Sequence, residues 1–175
     1  MAEVKFDAVL DEKGKEGEEA FKKWLDDVGI SYVGICQARE TFAKLFQNTT
    51  KRQDFFLLFE SIGLIAVDVK KYTQGLKGYW PLPYENELKR VLTFERLFRI
   101  PVWYAYYRDG KNWLWISALK AVEVGKIIEN NREGNPIDPF LSIKETDFLE
   151  ISTNEDFGKL FAMRLKVLKQ IADQA

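Results

Sequence analysis

The sequence predicts an α/β (α+β) fold in which apolar strands alternate with amphipathic helices, and three observations carry that reading. Residues 53–70 read as a hairpin of two apolar strands, FFLLF and LIAV, around a short turn. One amphipathic helix precedes this hairpin and a second follows it. Further on, PVWYAYY and NWLWISAL flank Asp109-Gly110-Lys111, a turn signal for another strand pair. Strands that are apolar on both faces belong inside a sheet covered on two sides.

The first helix is expected over residues 16–28, where Phe21, Trp24, Leu25 and Val28 recur at helical spacing and Gly29 ends the pattern. At about 100° per residue, Glu18 falls beside Phe21 and Leu25, whereas Glu16 and Glu19 turn to solvent with Lys23 and Asp27. A strand follows over 31–37, and ETFAKLFQNT is a short helix or a loop. After the hairpin, TQGLKGYWPLPYEN is too rich in Gly and Pro for a regular element. A second helix spans 86–98, with Leu88, Val91, Leu92 and Phe98 on one side. Residues 120–130 read as a short helix or a strand extension, NNREGNPIDPF as a loop, and SIKETDFLEIS as a last strand. A closing helix over 153–175 opens on Thr153 and Asp156 as a capping box and turns Phe157, Leu160, Phe161, Leu165, Leu168 and Ile171 inward. With no repeat, linker or low-complexity tract, residues 1–175 read as a single domain.

Composition narrows the chemistry. The chain has no histidine, which removes Ser-His-Asp and Cys-His catalysis, histidine-ligated zinc hydrolysis and the zinc deaminases. Its one cysteine, Cys36, cannot form an intrachain disulfide or a Cys-rich zinc site, and within SYVGICQ it is expected to pack as a small apolar residue. Phosphate-cradling and dinucleotide glycine loops are missing. No apolar run reaches the length of a membrane span and the N-terminus lacks a signal-peptide layout, so a soluble, cytoplasmic protein is expected. The net charge of −1 gives no bulk attraction to nucleic acid, so any such binding needs a local basic face. Oxygen-ligated metal chemistry remains, and carboxylates suit Mg²⁺ or Mn²⁺.

The hairpin supplies those carboxylates. A turn centred on Ser61 places Asp54 opposite Asp68, and strand alternation projects Asp68 and Lys70 together while Val69 points the other way. A charged cluster at the end of a buried hairpin is costly unless the charges pair or hold a metal ion.

This arrangement resembles the PD-(D/E)xK nuclease superfamily, whose restriction-endonuclease-like fold is shared with archaeal Holliday junction resolvases. In that family an acid begins one strand, an acid-x-Lys ends the next, and a Glu on the preceding helix completes the site. Asp54, Asp68, Lys70 and Glu18 stand at those positions, while Gln53 stands where the motif has proline. The resemblance covers about residues 14 to 109. It implies an αβββαβ core, a central mixed sheet flanked by helices, with an added C-terminal strand and helix. It also implies a Mg²⁺- or Mn²⁺-dependent phosphodiesterase acting on nucleic acid, with DNA favoured and a homo-oligomer left open. Asp54, Asp68 and the Val69 carbonyl are then expected to hold the metal with Glu18, and Lys70 to orient water or stabilise developing charge. A catalytically inactive nucleic-acid-binding or assembly module is the alternative.

Basic and aromatic residues near the hairpin complete the expectation. Lys51, Arg52, Lys71 and Lys77 are candidates for phosphate contacts, and Tyr79 and Trp80 for base stacking. Gln74 is a weaker candidate. The aromatics Trp103, Tyr104, Tyr106, Tyr107, Trp113 and Trp115 are expected in the core rather than on a stacking platform. Asp68 and Lys70 are expected to cap a strand, so removing either should leave folding nearly intact.

Overall fold

Side-chain alternation on a few strands decides the architecture. A computed structural model describes residues 2–37, 43, 49–71, 78–109, 111–132 and 135–162, with backbone alone for 2–13, 130–132 and 135–137. The chain runs α1 (Ala2–Val28), β1 (Ser31–Gly34), β2 (Phe55–Phe59), β3 (Gly63–Lys70), β4 (Tyr79–Pro83), α2 (Lys89–Phe98), β5 (Val102–Tyr107), β6 (Trp113–Ser117), α3 (Ala118–Val124), β7 (Lys126–Arg132), β8 (Asn135–Lys144) and β9 (Leu149–Ile151). Among the described residues, six strands form one sheet in the order β1-β2-β3-β5-β6-β9. Only the central β3–β5 pair is parallel, and the other neighbours are antiparallel.

The sheet separates two cores. On one face, Phe21, Trp24 and Leu25 of α1 pack against Phe55, Leu57, Val67, Ala105, Trp113 and Trp115. On the other, Ala66, Val102, Tyr104, Tyr106, Leu114 and Ile116 meet α2, α3 and a second sheet. Odd and even residues of β5 and β6 thus serve opposite cores, as the pleat requires. Of the aromatics expected in the core, Tyr104, Tyr106, Trp113 and Trp115 are fully buried, and Trp103 and Tyr107 pack partly buried against it.

The helix α1 ends as its sequence indicates. Gly29 adopts φ 73°, Ile30 N–H donates to the Leu25 carbonyl at 3.0 Å, and Gly29 N–H donates to that of Asp26 at 3.3 Å. This is the paired C-terminal cap that glycine permits. The helix begins well before residue 16, with its inner glycine serving close approach. A side chain at Gly17 would put its Cβ 3.1 Å from Lys71 Cβ and 3.7 Å from Val69 Cγ1 at the end of β3. Gly17→Leu is therefore expected to wedge α1 off the sheet and lower stability by about 1–3 kcal/mol, as overpacking does. Chemical denaturation reads that loss directly.

The second sheet, ordered β4-β8-β7, departs from the sequence-based expectation, which assigned no regular element to its residues around Pro81, Pro83, Pro136 and Pro139. Proline is tolerated on an edge strand, and β4 is one: Pro81 and Pro83 share parity, so their missing N–H groups fall on the open side. Strand β8 pairs with β4 only from Phe140 onward, which leaves Pro136 and Pro139 beyond β4's reach, the latter at a register shift opposite β7.

Two smaller differences follow from chain ends. The strand β1 stops at Gly34, and Cys36 beyond it is exposed rather than packed. After β9, a 3₁₀ turn over Glu155–Phe157 leads into a helix visible over 158–162, and Leu165, Leu168 and Ile171 lie outside the described residues. The cap there is real: Ser152 and Thr153 N–H donate to Asp156 Oδ2 at 2.9 and 3.1 Å, and Lys159 Nζ lies 2.7 Å from Oδ1. Lys159 first, then the Ser152 N–H, lower the Asp156 carboxyl from 3.8 to about 2. A depressed carboxyl stabilises the fold above its unfolded value and loses that contribution as pH falls through the folded one. Denaturation midpoints of the wild type should therefore drop between the ordinary value 3.8 and about 2, and Asp156→Asn should flatten that part of the profile.

Candidate active site at the end of the central hairpin

The turn of the β2–β3 hairpin sets the site's register. Phe59 pairs with Gly63, Ile62 N–H closes on the Phe59 carbonyl at 3.2 Å, and Ser61 takes φ 60°. Phe55 pairs with Val67 as the last step of the ladder, and beyond it the Asp54 N–H donates to the carbonyl of the same Val67 at 3.0 Å, so the register does not continue to an Asp54–Asp68 pair. Asp54 Oδ2 accepts the Val69 N–H at 2.7 Å, and its Oδ1 lies 3.4 Å from Gln37 Nε2. The Val69 side chain faces α1, opposite Asp68 and Lys70.

Asp68 and Lys70 are more buried than strand-capping residues, at 1% and 6% exposed. They belong to a closed ring of alternating charge. Lys70 Nζ lies 3.1 Å from Asp68 Oδ1 and 2.8 Å from Glu87 Oε1. Lys51 Nζ lies 2.5 Å from Asp68 Oδ2 and 2.6 Å from the same Glu87 Oε1. Removing one member strands its neighbours in a low dielectric, which contradicts the expectation that Asp68 or Lys70 can be removed without cost to folding.

Glu87 was not singled out in the sequence. It reads as one more acid at the start of a polar helix, YENEL. Its signal was periodicity: Val91 and Phe94, at i+4 and i+7, share its face and are both buried. A single π turn over Tyr84–Leu88, joined directly to α2, presents it. Asp138 of β8 secures that turn by accepting the Glu85 and Asn86 N–H groups at 2.9 and 3.1 Å. The second sheet thus positions the acid. Burial first, then the charge of Asp68, raises the Glu87 carboxyl.

Glu18 sits half-buried on α1 where the helix crosses β3, one residue past Gly17. Burial raises its carboxyl, with Asp68 the next cause and Lys51 opposing, so it lies within the electrostatic reach of the ring. Among the described residues no hydrogen bond joins it to Asp54 or Asp68. The donors are all oxygen, which fits Mg²⁺ or Mn²⁺. Beside them Tyr104, paired in register with Asp68 and fully buried, keeps a hydroxyl without a protein partner. Among the described residues no three acids converge on one point that could hold an ion. Ammonium groups lie against both Asp68 oxygens instead.

The remaining candidates fall in different places. Arg52 Nη1 donates to the Cys36 carbonyl at 2.8 Å and pins the segment before β2. Lys71 pairs with Glu16 at 2.6 Å, with its ammonium 5.6 Å from the Tyr107 ring centre. Tyr79 is partly exposed at the start of β4. Trp80 is corrected: at 4% exposed it packs edge-on against Tyr106 and donates to Glu145 at 3.2 Å, so its ring faces cannot receive a base. Lys77 and Gln74 lie outside the described residues.

No protein-family model and no curated protein matches the sequence. Among solved structures, the Holliday junction resolvase Hjc of Archaeoglobus fulgidus superposes with a TM-score of 0.52 at 15% identity, over 83% of this chain and 96% of that one. The fold is therefore restriction-endonuclease-like: α1, the β1–β3 meander, α2 and the parallel β5 give the αβββαβ core, with a nuclease-like mixed sheet between helices. At that identity the likeness is one of fold. No helix among the described residues is long and apolar enough to cross a membrane.

Proposed function

We propose that this protein is a divalent-metal-dependent nuclease that hydrolyses phosphodiester bonds of DNA. The observation that carries the reading is the burial of Asp68 and Lys70 in one charged ring at the end of the hairpin, where Asp54 accepts the N–H of the intervening Val69. Buried ion pairs stabilise a fold poorly, and the Glu87 and Glu18 carboxyls, both raised by burial, flank the same point, as groups at sites of chemistry do. The likeness of fold to a Holliday junction resolvase supports the same reading.

Asp54, Asp68, the Val69 carbonyl and Glu18 are the groups that would hold Mg²⁺ or Mn²⁺, with water and substrate phosphate completing the shell. When bound, the ion supplies Lewis acidity at the phosphate and lowers the pKa of water. Asp54 is oriented for this by the Val69 N–H, which fixes one carboxylate oxygen and leaves the other only weakly engaged. Lys70, locked by Asp68 and Glu87, is a preorganised positive charge for the oxygen on which negative charge develops. Arg52, Lys71 and Lys77 flank the site in sequence and contact the nucleic-acid phosphates, and Tyr79 stacks on a base.

Labelled linear, single-stranded and four-way-junction DNA, incubated with Mn²⁺ or with excess chelator, tests the reading. Cleavage of at least one substrate with Mn²⁺, lost in chelator, is the expected result. Tight binding with every substrate left intact would instead identify a nuclease-like binding module. Cleavage undiminished by chelator would remove the metal from the mechanism.

A further inference from the structure

The two ammonium groups of the ring are not equivalent. The Lys70 side chain stands on the central strand and is 7% exposed, whereas that of Lys51 is 28% exposed and projects from the irregular segment before β2. The backbone of that segment is fixed. Arg90 Nη2 donates to the Thr50 carbonyl at 2.9 Å, and Gln53 Nε2 donates to that of Lys51 at 3.0 Å. The Lys51 side chain can therefore swing to solvent while its backbone stays.

Its ammonium sits between oxygens of two different buried carboxylates, Asp68 Oδ2 and Glu87 Oε1. Mg²⁺-like ions are commonly held by one or two carboxylates, with water and substrate completing the shell. The buried Tyr104 hydroxyl, close enough for the Asp68 and Glu87 charges to act on it, is a further oxygen without a protein partner. Buried orphans of this kind call for a missing water or ion. Charge balance points the same way. By formal count the ring sets two carboxyl groups against two ammonium groups, and a divalent cation added without loss of an ammonium would bring uncompensated positive charge into a low dielectric.

We propose that Lys51 is an internal counter-ion that fills a cation seat between Asp68 and Glu87, and that divalent metal enters by displacing it. This rests on the nuclease reading for the kind of ion, and it adds Glu87 to the residues that hold it. Lys51 keeps the metal-free ring compensated, and its competition weakens the apparent affinity for metal.

The test is Mn²⁺ binding to the full chain without nucleic acid, followed by the paramagnetic resonance of the free ion. Lys51→Met should bind Mn²⁺ at least about tenfold tighter than wild type, since competition by the ammonium reduces the fraction of seats open to metal. Lys51→Arg, which keeps the charge, should bind no tighter. Mn²⁺ should also raise the denaturation midpoint of Lys51→Met more than that of wild type, a readout that remains available when the variant is less stable. Equal or weaker Mn²⁺ binding by Lys51→Met overturns the proposal. The two readings fail separately. Tighter Mn²⁺ binding by Lys51→Met, with every DNA left intact by wild type, ends the nuclease and keeps the counter-ion. DNA cleavage by wild type, with unchanged Mn²⁺ affinity in Lys51→Met, does the reverse.

Discussion

Asp68→Ala should lose DNA cleavage and several kcal/mol of stability together. The carboxylate is 1% exposed and accepts from both lysines of the ring. Without it, Lys51 can turn to water, but Lys70 is held inside on the central strand, where it has lost one of its two carboxylate contacts in the ring. Stranding a buried charge in this way costs about 3–5 kcal/mol. Cleavage should fall by more than about 10²–10³-fold, the scale of one lost electrostatic contact to developing charge, because metal ligation and the placement of Lys70 fail at once. Denaturant midpoints and single-turnover cleavage with Mn²⁺ measure the two losses. A wild-type midpoint for Asp68→Ala would show that the ring is not held in the interior, and the mechanism would lose its preorganised lysine.

The hairpin half of this site was legible in the sequence because its information is local. A short turn between two apolar strands fixes the register, and parity then assigns Asp68 and Lys70 to one face and Val69 to the other. The same holds for α1, where an apolar stripe and Gly29 set the buried face and the end of the helix. Glu87 escaped for the opposite reason, and Lys51 reads in sequence as a phosphate contact rather than as a partner of Asp68 and Glu87. Each looks like a solvated charge among its neighbours, and only the return of α2 over the sheet brings them to Asp68. The second sheet was obscured by its prolines, which read as breakers until the strand order shows that β4 is an edge and that part of β8 has one neighbour. Trp80 was misplaced by the same error, since a loop tryptophan suggests a surface and a strand tryptophan facing Tyr106 belongs to the core.

Replacing the whole ring should reverse the sign of the stability effect. In the variant Lys51→Met, Asp68→Leu, Lys70→Met, Glu87→Met, no charge is left stranded, and the site becomes continuous with the apolar cluster of Ala66, Leu88, Val91 and Tyr106. Exchanging buried ion networks for apolar side chains of similar volume is often neutral or stabilising by about 1–4 kcal/mol. The fourfold variant is therefore expected to unfold at or above the wild-type denaturant midpoint, although each single removal lowers it. Such a departure from additivity is what four directly contacting groups produce. Cleavage should be absent and Mn²⁺ binding weak. If the fourfold variant were instead less stable than Asp68→Ala, the ring would be a structural device of the fold, and its burial would no longer argue for chemistry at the end of β3.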